Sequence, residues 1–481
     1  MTPAIVFGSR GIGKSAIRIH IENICSAKDS EQRVGGRALA ITYDDFSKAV
    51  AAGIDNVSLE RHLEAILNKA VVAALAVIAN TVGDQSKVTE DTIEESFPDL
   101  DIPVFSRLVQ KYFIPMTELQ RESAFRGIYN YFRREAISIT DRIHWFHRLW
   151  GVLRVPLIDI ANLFQAARGK DGIKPVQIEL LGPREENNAE LFINDLYTIA
   201  GITEQLGFDG WYILIDKVDE DEHTDSDATK AAKLIAPLLK NLRILELNRI
   251  GFKFFLWNQL RAILIEERVR LDKIRNLEMS WTRDELKEMI DRRLKTYSGD
   301  RVSDLLSITE DDAHDIYETA IYYSMFSPRE LAHILDSIFR EHARHSDQDT
   351  GTFITRASID RGVDDYCLRR IKDIYSSNVV RTIARLPDIV FTSGDVQSML
   401  RVSKQAASAR ISKWTDDGYI ERTEDARSET DPSKSIYQYI FREKRFERVV
   451  QRKLYTDPIS DEPEEGTLLD GENSPTDEDA P

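Results

Sequence analysis

Short apolar runs separated by helical patterns dominate the first 280 residues. Four of these runs, at Ala4–Phe7, Ala38–Tyr43, Trp211–Ile215 and Phe252–Trp257, have the length and composition of buried parallel strands. Helical periodicity fills the stretches between them, which is the pattern of a doubly wound sheet. Residues 1–280 therefore predict an α/β core, a parallel sheet with helices on both faces.

The stretch from about residue 46 to residue 174 is too long for a single crossover and is rich in helical periodicity. We interpret it as a helical insertion. Its longest apolar run, Ala70 to Ala79, is far shorter than the ~20 residues that a membrane-spanning helix needs, so it predicts a buried helix and no membrane span. An aromatic and basic segment at 139–150 either packs in a helical core or contacts a protein partner.

The segment 281–377 is helical throughout in its pattern. Thr282–Glu285 and Ser327–Glu330 are both typical of capping boxes. In the second of these, Pro328 occupies the first helical position, where proline is favoured. We expect a group of helices here.

A glycine-rich loop follows the first predicted strand. Its sequence over residues 8–15 is Gly-Ser-Arg-Gly-Ile-Gly-Lys-Ser, the Walker A pattern G-x-x-x-x-G-K-S, and a helix is predicted directly after it. The glycines let the backbone curl so that its N–H groups point at phosphate oxygens, and the start of the helix adds attraction. Lys14 is expected to reach the β- and γ-phosphates of a nucleotide, and the hydroxyl of Ser15 to bind Mg²⁺. The residues expected to bind the nucleotide are Gly8, Ser9, Arg10, Gly11, Ile12, Gly13, Lys14, Ser15 and Ala16.

An acidic residue follows the third predicted strand. The run Trp211–Ile215 leads into Asp216, which we take as the Walker B carboxylate on the Mg²⁺ side. The next position commonly holds an acid that orients water, and here it is Lys217. Asp219 or Glu220 is then the candidate base, if the turn brings either back toward the γ-phosphate. Lys217 leaves slow hydrolysis an open alternative.

The fourth predicted strand also ends on a polar residue, Asn258. In a parallel sheet the carboxyl ends of the strands face the ligand crevice. Asn258 is therefore a candidate to hydrogen-bond the γ-phosphate or the attacking water, although polar residues often follow a strand for no functional reason.

These features resemble those of the AAA+ and STAND-like P-loop ATPases, and within them the origin-recognition-like branch. The chain is more similar still to a family of bacterial P-loop ATPases of largely unassigned function. It shares with that family the Gly-x-Lys-Ser loop, the segment Trp281–Leu286 and the turn Pro328–Leu331. The resemblance covers most of the chain outside the insertion and the C-terminal tail. It implies ATP with Mg²⁺ as the bound ligands, and the preference for adenine over guanine depends on it alone.

The resemblance also suggests roles for three arginines. It makes 281–377 a helical lid, in which Arg329 is a candidate second sensor of the γ-phosphate; an exposed arginine without function is the alternative. Arg268 and Arg270 are candidates for an arginine finger offered to the next subunit of a homo-oligomer, and a solvated helix face is the plainer interpretation.

The segment 378–454 has a pattern of its own. Its predicted elements are helices at Thr392–Leu400 and Lys404–Trp414 and strands at Tyr419–Arg422 and Ser435–Phe441. On the second helix Ala407, Ile411 and Trp414 recur at helical spacing and are expected to face the core. This arrangement resembles a winged helix.

In a winged helix the second helix of the helix-turn-helix enters the major groove of DNA. The resemblance places Lys404 and Gln405 at base edges, and Arg410, Lys413 and Lys434 at phosphates. The segment carries fifteen Lys or Arg and eleven Asp or Glu, a net charge of only +4. Double-stranded DNA is the favoured partner, and docking to a protein stays open.

The net charge of the whole chain is −17, and ten of its acidic residues lie within 455–481, which has no Lys or Arg. That stretch is punctuated by Pro and Gly, so we expect it to be disordered. The two cysteines, Cys25 and Cys367, have no CxxC or His-rich neighbours, so the pattern indicates neither a disulfide nor structural zinc. No signal peptide is readable at the glycine-rich start, and we expect a cytoplasmic protein.

Together these patterns predict an enzyme that converts ATP and water to ADP and phosphate. It would act as a molecular switch that couples its nucleotide state to DNA or a protein partner through the winged helix. Two alternatives remain open. One is a STAND-like signalling or defence ATPase that oligomerises on sensing a ligand, and the other is an ATP-binding module with little turnover.

Overall fold

The computed structural model describes residues 2–25, 37–82, 90–126, 189–345, 353–423, 426–427 and 435–455. The strands are β1 Ala4–Gly8, β2 Ala38–Tyr43, β3 Gly210–Ile215, β4 Ile250–Trp257, β5 Arg275–Glu278, β6 Val390–Thr392, β7 Ile420–Arg422, β8 Ala426–Arg427, β9 Ser435–Ile436 and β10 Gln438–Phe441. The α-helices are α1 Lys14–Cys25, α2 Leu59–Val82, α3 Glu90–Ser96, α4 Ile102–Tyr112, α5 Glu118–Arg126, α6 Ala189–Gln205, α7 Ala228–Lys240, α8 Leu242–Leu245, α9 Leu260–Glu266, α10 Arg283–Ser298, α11 Ile316–Tyr323, α12 Pro328–His345, α13 Arg356–Ile374, α14 Ser377–Ile383, α15 Ser393–Leu400, α16 Lys404–Asp416 and α17 Lys444–Gln451.

Five parallel strands form one sheet in the order β2-β3-β4-β1-β5. Four of them confirm the strands predicted from apolar runs, with β4 beginning two residues earlier than expected, at Ile250. The fifth, β5, was not predicted because its sequence, Arg-Asn-Leu-Glu, is mostly polar. It lies at the edge of the sheet and is largely exposed, so its side chains do not need to be apolar. The prediction of a parallel α/β core is confirmed.

Alternate residues of each strand point to opposite faces of the sheet, and both faces are buried. One face, which we call the insertion face, joins a large apolar core with helices α2, α4, α6 and α7. Its strand residues are Ile5, Phe7, Leu39, Ile41, Tyr43, Trp211, Ile213, Ile215, Ile250, Phe252, Phe254 and Leu256. The other, the α1 face, has a smaller core in which Ala38, Ala40, Leu214 and Phe255 lie with Ile17 and Ile21 of α1. Helices therefore cover both faces, as predicted.

The expected insertion is helical where the structure describes it, from α2 to α5. Its apolar run, from Ala70 to Ile78, is buried in the middle of α2, as predicted. Among the described residues, no helix is long and apolar enough to cross a bilayer. Residues 127–174, which include the aromatic and basic segment at 139–150, lie outside the described ranges.

The chain divides into two compact units. The first comprises residues 1–286 and 326–329, and the second comprises the described residues within 287–325 and 330–481. The first holds the five-stranded sheet, and the second holds most of the helices predicted for 281–377.

In the second unit, α15 and α16 are followed by a three-stranded antiparallel sheet in the order β6-β10-β7. Thr392 and Asp395 form a reciprocal capping box at the start of α15. The prediction of one continuous strand from Ser435 to Phe441 is wrong. The segment forms two strands, because β9 pairs with β8 whereas β10 pairs with β6 and β7.

Helix α17 was not predicted. Its Phe446, Val449 and Val450 are buried, and the guanidinium of Arg448 bonds to Asp364 and Asp360 of α13 at 2.6 and 2.8 Å. These contacts fix α17 on α13 within the second unit.

Candidate functional site

The loop between β1 and α1 is tightly curled. Gly11 and Gly13 have φ angles of +77° and +112°, which lie in the region that favours glycine. A Cβ at Gly8 would stand 2.7 Å from Cγ2 of Ile12 and 3.3 Å from Cβ of Met279, so a larger residue does not fit without displacing both. The first N–H groups of α1 have no acceptor inside the helix. Loop and helix start thus form a compact group of backbone donors, which suits an anion.

Lys14 begins α1 and is 9% exposed. Its ammonium donates to the carbonyl oxygens of Gly8 and Ser9 at 2.9 and 3.0 Å. Burial lowers the pKa of Lys14 below its ordinary value. The negative charges of Asp219, Asp216 and Glu220 offset part of this decrease.

The remaining loop residues differ in exposure. Ile12 is buried, Ser15 is partly exposed, and Ser9 and Ala16 are exposed. The loop is thus anchored by the buried Ile12, and Ser15 at its end is partly accessible to solvent.

Three residues that the sequence analysis did not assign to the site hold the loop in place. The indole N–H of Trp281 donates to the carbonyl of Ile12 at 2.7 Å, and the Met279 N–H donates to Phe7 at 2.8 Å. A Cβ at Gly11 would stand 2.9 Å from the hydroxyl oxygen of Ser327. Such distant contacts leave no local signal in the sequence.

Arg329, the expected second sensor, lies directly against the loop. A Cβ at Gly11 would stand 2.9 Å from Cβ of Arg329. The Arg329 side chain is exposed and forms no ion pair among the residues that the structure describes. Its guanidinium is therefore available at the loop surface.

Asn258 follows β4, the neighbour of β1 in the sheet. Its backbone N–H donates to the carbonyl of Gly8 at 3.3 Å, and Trp257 lies in register with Gly8. The side chain of Asn258 is exposed. The structure thus places Asn258 beside the loop, as expected from the end of a parallel strand.

Asp216 is 2% exposed and lies on the α1 face. Its Oδ2 accepts from Nε of Arg18 at 2.9 Å, and its Oδ1 accepts from the N–H of Lys217 at 3.0 Å. Arg18 also donates through Nη1 to Glu22 at 2.5 Å and to the hydroxyl of Thr42 at 3.1 Å. The expected Mg²⁺ ligand is therefore one member of a buried ionic cluster.

The sequence analysis missed this cluster, although a signal was present. Lys14, Arg18, Glu22 and Cys25 are the buried residues of α1, at spacings of four, four and three. Charged residues at these spacings form one stripe of the helix. A charged stripe on a helix that must pack on a sheet indicates polar partners on that sheet.

The two candidate bases have different surroundings. Asp219 is buried, and its Oδ2 accepts from Nε of Arg10 at 2.8 Å while its carbonyl accepts from Nη2 of the same arginine at 3.0 Å. The Arg10 guanidinium lies 4.4 Å from the ring centroid of Trp257. Glu220 is exposed, and its side chain has no ion pair within the described ranges. Arg10, expected to bind the nucleotide, is thus bonded to one candidate base.

Lys217, at the position that commonly holds an acid, has a φ of +60° and is largely exposed. Its ammonium lies 3.3 Å from Oδ2 of Asp44, the residue that follows β2. The Lys217 side chain therefore makes its ion pair with Asp44.

The two arginine-finger candidates lie after α9. Arg268 is exposed and has a φ of +63°. Arg270 is exposed, and its guanidinium forms two bonds with Asp272, at 3.0 and 2.9 Å. Such exposed pairs contribute little to stability, and neither arginine lies next to the loop in any contact among the described residues.

On α16, the three apolar residues predicted to face the core are buried, which confirms that periodicity. Lys404, Gln405 and Lys413 are exposed, as expected, and Arg410 is partly exposed. Lys434 lies outside the described residues. The exposed face of α16 therefore carries two lysines and a glutamine.

The residues at the loop fit a nucleotide with Mg²⁺ in the chemistry of their donors and oxygen ligands. The loop backbone packs closely against protein side chains at two glycines, because a Cβ would stand 2.7 Å from Ile12 at Gly8 and 2.9 Å from Ser327 at Gly11. A hydroxyl and a carboxylate, from Ser15 and Asp216, are the oxygen ligands that Mg²⁺ takes in proteins. In the described part of the chain no group of three or more His, Cys, Asp or Glu side chains is placed to hold a metal.

Comparisons with known proteins add little. No protein-family model and no curated protein matches the chain. Among solved structures, the ADP form of the ORC2 protein of Aeropyrum pernix aligns with 58% of this chain and 73% of its own, at 12% identity and a TM-score of 0.29. A TM-score this low does not establish a common fold, so the α/β class rests on the chain's own parallel sheet.

Proposed function

We propose that this protein binds ATP with Mg²⁺ at residues 8–15 and converts ATP and water to ADP and phosphate. The observation that carries the proposal is the curled loop with the buried Lys14 at its end, whose ammonium donates to the carbonyls of Gly8 and Ser9. A loop of this shape at a helix start is the arrangement that binds nucleotide phosphates.

The backbone N–H groups of the loop and of the first turn of α1 would bind phosphate oxygens. Lys14 would exchange the carbonyls of Gly8 and Ser9 for the β- and γ-phosphates. Ser15 and Asp216 would hold Mg²⁺, which neutralises charge on the phosphates when bound. The preference for adenine rests only on the family resemblance.

For hydrolysis, Glu220 is the better candidate base, because the carboxylate of Asp219 is already bonded to Arg10. Glu220 would orient the attacking water and accept its proton. Asn258 and Arg329 lie beside the loop and would contact the γ-phosphate or the water.

A second candidate function is nucleotide binding with little turnover. Lys217 occupies the position that commonly holds an acid, and it is paired with Asp44. With Asp219 held by Arg10, only Glu220 would be left for water activation. If Glu220 does not reach the water, the bound nucleotide acts as a structural ligand.

The partner is proposed to be double-stranded DNA, bound by residues 378–454 as a winged helix. Support comes from the order of α15, α16 and the antiparallel sheet, and from the exposed Lys404, Gln405 and Lys413 on α16. Protein docking is the alternative, and a STAND-like ATPase that oligomerises on sensing a ligand would use it.

The test is a nucleotide-turnover assay with and without double-stranded DNA, run alongside measurement of molecular mass. ATP turnover that DNA changes supports the switch. A nucleotide-dependent rise in mass without DNA affinity supports the oligomerising ATPase. Tight ATP binding without turnover under all conditions supports the binding module.

Glu220→Gln tests the assigned base. We expect turnover to fall by about 10²–10⁴-fold, because the amide cannot accept the proton of water, while ATP affinity is kept. The matched control is Glu222→Gln, since Glu222 is an exposed acid two residues further on. Turnover that survives in Glu220→Gln but is lost in Asp219→Asn would move the role to Asp219.

A further inference from the structure

Helix α1 buries charge against the sheet. Arg18 is 8% exposed and Glu22 is 5% exposed, and both face the α1 face of the sheet. Burying a charge is costly unless it is paired and hydrogen-bonded. A ligand that binds beside this cluster must therefore leave the pairing of these charges intact or replace it.

The cluster already supplies protein donors to both oxygens of Asp216, from Arg18 and from the Lys217 N–H. The guanidinium is fixed in turn, because Nη1 bonds to Glu22 and Thr42. The Thr42 hydroxyl donates to the same Glu22 oxygen. Arg18 thus stands as a fixed cation against the carboxylate that Mg²⁺ would share.

We propose that Arg18 is a built-in counter-cation of Asp216 and makes nucleotide binding only weakly dependent on Mg²⁺. The inference rests on the proposed function and goes beyond it. Arg18 is shared between Asp216 and Glu22, so it compensates the charge of Asp216 in part, and its guanidinium repels a cation that approaches Asp216. Without Arg18, Asp216 would need Mg²⁺ for that compensation, while the Lys217 N–H would still hold the carboxylate in place.

The experiment measures the dissociation constant of a fluorescent ATP analogue twice, in excess Mg²⁺ and in EDTA. The ratio of the two constants gives the contribution of Mg²⁺ to binding. For the unaltered protein we expect a ratio below about tenfold, which is less than 1.4 kcal/mol. A ratio above about 100-fold would overturn the inference without any variant.

The variant is Arg18→Gln with Glu22→Gln. Changing both residues removes one positive and one negative charge, so it leaves no buried carboxylate unpaired at position 22. We expect the ratio to rise by about tenfold or more, because Asp216 would then depend on Mg²⁺. The matched control is Lys48→Gln with Glu64→Gln, which removes another pair of the first unit, 2.9 Å apart, and should leave the ratio unchanged.

The outcomes separate the two proposals. Binding with an unchanged ratio in the double variant overturns the role of Arg18 and leaves the proposed function standing. No binding by the unaltered protein in either condition overturns both. If the double variant does not fold, Arg18→Lys replaces it; this variant retains the positive charge and is expected to keep the low ratio, and a ratio raised tenfold would contradict the counter-cation role.

Discussion

Two buried polar groups on opposite faces of the parallel sheet are paired in different ways. On the insertion face, large apolar side chains surround one imidazole, His62, which accepts from the Tyr43 hydroxyl and donates to the Leu234 carbonyl, both at 2.8 Å. On the α1 face, Nε of Arg18 lies 2.9 Å from Oδ2 of Asp216 in a buried ion pair. His62 is thus held by hydrogen bonds to a hydroxyl and a carbonyl, whereas Arg18 of α1 is held by the carboxylate that follows β3.

The tautomer of His62 follows from its partners. A carbonyl only accepts, so Nε2 carries the hydrogen and Nδ1 is the acceptor for Tyr43. Burial lowers the pKa of His62 to about 4. The imidazole is therefore neutral in the folded protein at ordinary pH.

The largest expected effect is a loss of stability when the apolar core on the insertion face is disrupted. Phe252 is fully buried there and stacks with Phe254 at a centroid distance of 6.3 Å. Phe252→Ala should lower the free energy of unfolding by about 3–5 kcal/mol, since it removes buried surface and leaves a cavity. Chemical denaturation measures this. Leu277→Ala, at a half-exposed position on β5, is the control and should change stability by no more than about 0.5 kcal/mol. Equal losses of unfolding free energy in Phe252→Ala and Leu277→Ala would contradict the insertion face as the source of stability.

The second prediction concerns the buried imidazole of His62 on the insertion face. The pKa of His62 is lower in the folded than in the unfolded chain, so the unfolded chain binds the proton first as the pH falls. Stability should therefore be lost between about pH 6.5 and 4, by about 3 kcal/mol. His62→Gln keeps one donor and one acceptor but cannot titrate. The free energy of unfolding of this variant should therefore fall by about 3 kcal/mol less than that of the unaltered protein over the same pH range.

Denaturation curves at several pH values check this prediction. His20→Gln is the control, because His20 is exposed on α1. Curves for His62→Gln that remain parallel to those of the unaltered protein would show that His62 does not titrate in this way.

The smallest expected effect concerns the exposed lysines of α16, whose charges are in solvent. Lys404→Ala with Lys413→Ala should weaken DNA binding by about tenfold at low salt and flatten the dependence of log K on log salt by about 1, since Lys413 loses a phosphate contact and Lys404 a base-edge contact. The control is Lys233→Ala with Lys240→Ala, which makes the same charge change on α7. If the unaltered protein shows no DNA affinity at low salt, residues 378–454 dock a protein instead.

The parts of the site that the sequence predicted are the local ones. The loop at 8–15 was predicted because its glycines, Lys14 and Ser15 are adjacent in sequence and lie between an apolar strand and a helix. Asp216 and Asn258 were predicted because each directly follows a buried strand. All of these lie at the same edge of the sheet in the structure.

The parts that the sequence could not predict are contacts between distant residues. Arg18 and Asp216 are 198 positions apart, and Trp281 and Ile12 are 269 apart. The polar stripe of α1 indicated that Arg18 needs a partner, but the register of the strands decides which one. Strand β5 was missed for a different reason, because an exposed edge needs no apolar pattern.

The central claim is that the loop binds a nucleoside triphosphate through Lys14. Calorimetric titration of the unaltered protein and of Lys14→Ala with a non-hydrolysable ATP analogue tests it directly. The account predicts binding that weakens on the order of 100-fold in the variant, because a charge-assisted bond to the phosphates is lost. No binding by the unaltered protein, or equal affinity in both proteins, would contradict it.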